Sequence, residues 1–353
     1  MTVRARWVHS LLLVVLGAAS FTVGPTAVRA ASEEEFFRGK QVKIIISGSP
    51  GDAYDIYSRV FAAHLPRHLP GNPVVVPQNM PGAAGAVSVS YVYNVAPRDG
   101  TVIGIATTGI PTAALLSDSP VQFDVMKLGW IGSVTKDPFV GFVWHTSPVQ
   151  SLAEMKVKEV VMGGLASGGS ASTEYPLLAK ELFDFKIRLI SGYGSTPEIK
   201  LATERGEVHG SFANAWGSFK LAGADWLAGN KVRIVVQHGF EKHPELPDVP
   251  LFIDEARTET QRQILKVMLG RQEYAKGFYL PPEVPASRLE AWRRAFDATM
   301  KDPAYLSAMK DARLDVVGTM TGEALARLVG EINGTPPEVI GRIKGILAPL
   351  RAK

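Results

Sequence analysis

The 353-residue chain contains no cysteine. That excludes disulfides, thiolate metal sites, a cysteine nucleophile and the lipid-bearing cysteine a surface lipoprotein needs. A strong net charge is also missing. The formal value is +4, and Arg4, Arg6 and Arg29 in the first 30 residues, with no acid among them, take it to about +1 for the remainder. A nearly neutral body argues against a nucleic-acid or membrane-surface binder built on a general basic field. No strictly apolar run approaches the roughly 20 residues that a spanning helix needs. Catalytic signatures are equally scarce, with no G-x-S-x-G elbow, no G-x-x-x-x-G-K-[ST] loop, no G-x-G-x-x-G and no H-E-x-x-H. No repeat of 20 to 50 residues and no low-complexity linker is visible.

What is present begins with an export signal. Arg4 and Arg6 precede the apolar run 11–16, and Val28-Arg29-Ala30 supplies a small-residue cleavage pattern, so residues 1–30 read as a signal peptide cleaved near Ala30. Beyond it, strand-like apolar runs (44–46, 74–76, 101–106, 159–162, 187–190, 208–212 and 232–236) alternate with helical patterns (88–95, 173–183, 196–205 and 285–301). Such alternation predicts an α/β fold of mainly parallel sheets covered by helices, in a chain long enough for two domains. Ligands of such sheets bind beyond the carboxyl ends of the strands.

The stretch 42–59, VKIIISGSPGDAYDIYSR, predicts a buried strand, a tight loop and a helix, with Asp55 as the expected cap. The first N–H groups of a helix lack intrahelical partners and lie at the positive end of its dipole, so this junction suits an anion. Four further small-residue loops follow strands, at 79–85, 107–109, 163–173 and 191–196. Each alone is an ordinary turn, but together they point to one shared cleft. The run 167–172, SGGSAS, also admits a serine-dependent amidase or esterase, although no lysine or histidine is tied to it by spacing. His64 and His68 stand at i, i+4 and could chelate a metal, but flanking Pro66 they read better as a solvated surface pair.

An ordered set of segments then carries a family resemblance: FRGKQV leading into IIISGSPGDAYD, VVVPQNMPGAAG, APRDG, the Gly168-Gly169-Ser170 loop with LLAKELF, and LPDVP at 246–250. In this order the chain resembles the receptors of tripartite tricarboxylate transporters, the Bug family, over nearly the whole of its mature length. The resemblance implies a two-lobe periplasmic binding protein of type II, the Venus-flytrap kind. Lobe 1 would take residues 35–135 and 237–353, and lobe 2 residues 136–236. It implies a non-enzymatic, monomeric receptor without cofactor, metal or nucleic acid. That receptor would capture a small organic anion, such as a di- or tricarboxylate or an aromatic or amino-acid carboxylate, and deliver it to membrane permease subunits; a periplasmic sensor for a signalling partner is the variant reading.

Carried over residue by residue, the resemblance implies that the first-lobe loop grips one carboxylate through Ser49, Gly51, Asp52, Ala53, Tyr54 and Asp55. Asp52 stands where relatives have glycine, and a carboxylate beside an anion site repels it unless it points away or is neutralised. Thr107 and Thr108 would bring hydroxyls to the cleft. In the second lobe Ser167, Gly168, Gly169, Ser170 and Ser172 would wrap the other end, with Tyr193 and Asn214 beside them.

Overall fold

The computed structural model describes residue 2 and residues 32–117, 120–166 and 170–351. The expected signal peptide lies outside the described residues except for Thr2, and Ser167, Gly168 and Gly169 lie outside them altogether. The described strands are β1 (Gln41–Ile46), β2 (Val74–Asn79), β3 (Val102–Ala106), β4 (Gly129–Ser133), β5 (Phe139–Trp144), β6 (Val160–Leu165), β7 (Ile187–Tyr193), β8 (Gly210–Ala215), β9 (Val232–His238), β10 (Gly277–Leu280) and β11 (Met320–Thr321). They form two sheets, ordered β11-β4-β10-β3-β1-β2 and β7-β6-β8-β5-β9.

The α/β class holds, but both sheets are mixed. β1 pairs in parallel with β2 and β3, and β6 with β7 and β8. β10 runs antiparallel to β3 and β4, and β5 antiparallel to β8 and β9. The reversed strands are those through which the chain passes between the sheets. It leaves the first sheet at Ser133, enters the second at Phe139, and returns from β9 through the helix Glu259–Glu273 into β10. A strand entered from the neighbouring sheet needs no covering crossover helix, so it can run against its partners.

β1 forms because Val42, Ile44, Ile45 and Ile46 fit an extended backbone, and both its faces are covered. On one face Phe61 of the helix Ala53–His64 stacks on Phe278 at 4.5 Å, with Trp292, Phe296 and Tyr305 around it. The other face joins an apolar cluster that continues into the second sheet through Tyr175, Phe212, Phe252 and Met268. The C-terminal helix Pro337–Arg351 packs on the helix Ala171–Phe183, beyond β6, and on the short helix Ala113–Leu116, beyond β3.

Candidate functional site

The register Ile46↔Asn79 and Ile46↔Ile105 brings the loops after β1, β2 and β3 to one end of the first sheet. Ser47 secures the junction from below. Its buried hydroxyl lies 2.7 Å from that of Ser88 and donates to the Ile105 carbonyl at 2.5 Å. Thr107 donates to the Ala84 carbonyl at 2.7 Å and so braces the turn after β2.

Asp52, not Asp55, caps the helix Ala53–His64. Its extended backbone (φ −78°, ψ 173°) is that of an N-cap, and its carboxylate accepts from Asp55 N–H at 2.9 Å and from Ser49 N–H at 2.7 Å. A Cβ at position 48 would lie 2.2 Å from an Asp52 oxygen, so any larger residue there would push the capping carboxylate aside. Asp55 sits one turn in and reaches back. It accepts from Gly51 N–H at 2.8 Å, from Arg59 at 2.8 Å and from Asn79 at 2.9 Å. The hydrogen bond from Arg59, against the cost of burial and with help from Gly51 and Asn79, lowers its carboxyl to about 2. Expected to grip a solute, the loop amides of Ser49 and Gly51 grip the chain's own carboxylates.

A cleft of about 500 Å³ opens between the two sheets. From the first it takes Tyr54 and Thr108, and from the second Ser170, Ser172 and Asn214. Thr108 N–H donates to the Tyr54 hydroxyl at 3.2 Å, and the Oγ atoms of Ser170 and Ser172 lie 2.8 Å apart. The other candidates sit elsewhere. Ser49, Gly51, Asp52, Asp55 and Thr107 build the first-lobe loops without lining the cleft, and Ala53 faces a neighbouring groove. Tyr193 packs with Ile190 against Val161, Ala202 and Val208, because β7 is an edge strand and turns its ring toward the helix Thr196–Glu204. His64 and His68 part company, the first beside Arg67 and the second on Asp302, the N-cap of another helix.

Among the polar residues of the cleft that went unread in the sequence are Asp137, Arg271, Gln272 and Lys276. All four lie where the chain passes between the sheets. The ammonium of buried Lys276 stands 4.4 Å from the Tyr54 ring centre and 5.3 Å from that of Tyr57 and donates to the Ala275 carbonyl at 3.3 Å, with no ion pair within 4 Å among the described residues. Arg271 is paired with buried Glu174 at 2.5 Å. Burial works against its charge, but the Glu174 carboxylate outweighs burial and holds its pKa above the ordinary range. Burial pushes the Asp137 carboxyl up, and Lys276 opposes it. Beneath them the Tyr175 hydroxyl donates to the Met268 carbonyl at 2.8 Å and lies 2.6 Å from the Gln272 amide. One signal could have exposed Lys276. It is a lone cation between Tyr274-Ala275 and the apolar strand GFYL, where a charge is costly unless used.

This fold, two α/β sheets facing each other across a cleft, is that of the periplasmic binding proteins. A TctC solute-binding protein from Polaromonas superposes with a TM-score of 0.66 at 16% identity, covering 88% of this chain and 98% of that one. MatC from Rhodopseudomonas palustris, with bound malate, superposes at 0.56 and 18% identity, covering 87% and 99%. In sequence, a UPF0065 protein from the gbd 5′ region of Cupriavidus necator is 26% identical over 147 residues. That match spans 41% of this chain and 43% of the relative's length. No protein-family model matches the chain. The chain is thus similar in fold and in part of its sequence to the receptors its motifs resemble.

Proposed function

We propose that the protein is a non-enzymatic periplasmic receptor of the Bug type that captures a small organic carboxylate and hands it to a tripartite tricarboxylate-type permease. The observation that carries this reading is the cleft end formed by Lys276, Tyr54 and Thr108, a buried ammonium in no ion pair within 4 Å among the described residues, with Asp137 farther off and the Tyr54 phenol and the Thr108 loop beside it. Such a pole has an unmet requirement that an anion satisfies. Malate in MatC, a protein of the same fold, supports the ligand class. The division into lobes 35–135 with 237–353 and 136–236, the cleavage near Ala30 and a monomeric state belong to the same proposal. No described helix is long and apolar enough to cross a membrane.

Calorimetric titration against a panel of organic acids tests the reading. Binding of at least one acid is expected, and Lys276→Met lowers its affinity by roughly ten- to a hundredfold, the usual range for a charge-assisted hydrogen bond. Wild-type affinity in that variant would remove Lys276 as the anchor.

A further inference from the structure

The cleft's charges and its walls restrict the ligand further. Its lining holds two cations, Arg271 and Lys276, and one acid, Asp137, and Glu174 is clamped on Arg271 from behind. Arg271 is held by Glu174 at 2.5 Å, whereas Asp137 acts on Lys276 only through space, with no ion pair within 4 Å between them. One incoming carboxylate can take Lys276, whereas a second would find Arg271 and Lys200 already ion-paired with Glu174 and Asp225. In the loop after β1 the Ser49 and Gly51 amides are not available to it, because they already bind Asp52 and Asp55.

Behind Ser170, Ser172 and Asn214 the second-sheet side of the cleft opens into a mainly apolar recess. A side cavity of about 150 Å³ is walled by Phe142, Phe219, Trp226 and Ile199, with Thr196, Asn214 and Lys200 at its edge, the Lys200 ammonium lying 2.8 Å from Asp225 and 4.9 Å from the Trp226 ring centre; it shares Ile199, Phe219 and Ala222 with the main cleft. An apolar cavity of roughly 150 Å³ holds a benzene ring. The two regions therefore differ in kind, a cationic pole on the first sheet and a dry aromatic recess on the second.

We propose that the solute is a single-headed amphipathic acid, with one carboxylate at Lys276 and Thr108 and an aryl or alkyl body reaching past Ile199 and Phe219 into the side cavity. This rests on the receptor reading above and narrows its ligand class away from di- and tricarboxylates. A second carboxylate on the body would be carried into the recess, where it loses its water and the one cation at the edge, Lys200, is already paired with Asp225.

Hexanoate and adipate make the test, since they share a six-carbon chain and differ by the second carboxylate; phenylacetate is the aryl probe. In calorimetric titrations at pH 7 of the purified chain, hexanoate and phenylacetate are expected to bind at least about tenfold more tightly than adipate, succinate or citrate. Ala222→Leu, which grows into the side cavity from the helix Trp216–Ala222, is expected to weaken hexanoate about tenfold with the melting temperature kept, a loss of the order set by overpacking. If adipate binds as well as hexanoate, or if hexanoate binding ignores Ala222→Leu, the single-headed ligand is overturned while the carboxylate receptor stands. If the folded protein binds none of these acids, the receptor reading itself falls.

Discussion

Asp52 shows how one residue can reverse a loop's expected role. Glycine at this position leaves the amides of such a loop open to a ligand anion, whereas here the side chain binds Ser49 and Asp55 N–H and caps the helix. Asp52→Ala is expected to lower stability by about 1 kcal/mol, as loss of an N-cap does. Asp52→Asn, which keeps an acceptor oxygen, should stay within a few tenths of a kcal/mol of wild type. Urea midpoints at constant slope measure both. The expectation of Asp55 as cap failed because both aspartates precede the helical apolar pattern, and spacing alone does not say which has the extended backbone. Likewise, Lys276, Arg271 and Asp137 carry no motif; they become neighbours only when the chain returns between the sheets.

At the scale of elements, β1, β2, β3 and β6 to β9 were legible as β-branched runs, and the helices Ala86–Asn94, Ala171–Phe183, Thr196–Glu204 and Ala286–Met300 as periodic stretches. β4, β5 and β10 were not. Their runs GWIGS, FVGFVW and GFYL are short, glycine-broken and aromatic, and periodicity does not separate such runs from buried helix segments. Those same strands make the sheets mixed. The helix Glu259–Glu273 carries Arg271 and Gln272 to the cleft and starts at a capping box, in which Thr258 accepts from Gln261 N–H at 3.2 Å and the Gln261 amide oxygen accepts in return at 3.1 Å. Thr258→Ala is expected to cost about 1 kcal/mol in a denaturation curve. Solute affinity should be unchanged, because the cap lies at the opposite end of a 15-residue helix from the cleft.

For the whole molecule, the buried His238 links stability to acidity. It lies among Tyr175, Phe212 and Phe252, and its Nε2 is 2.7 Å from the Phe212 carbonyl. Burial lowers its pKa to about 4, although the bond to Phe212 favours the charged ring. The folded protein therefore disfavours the proton that the unfolded chain accepts near 6.5. The contribution is fully present above pH 6.5 and is lost as pH falls toward 4, by up to about 3 kcal/mol. His64, His209 and His243 are lowered too and act with the same sign. Melting temperature is expected to fall across this window, and His238→Phe should flatten part of the fall, which a calorimetric scan at pH 7, 6, 5 and 4 would measure.

The C-terminal helix Pro337–Arg351 rests on the helix beyond β6 and on the one beyond β3, over an apolar cluster shared by both sheets. In mechanical terms it is a strut across the back of the cleft. Parting the sheets there would wet the shared cluster, so motion is cheapest at the open front, where the loops meet. Opening then has a direction, and cutting back the last turns of the chain would loosen the two sheets against each other while leaving the loops at the front as they are.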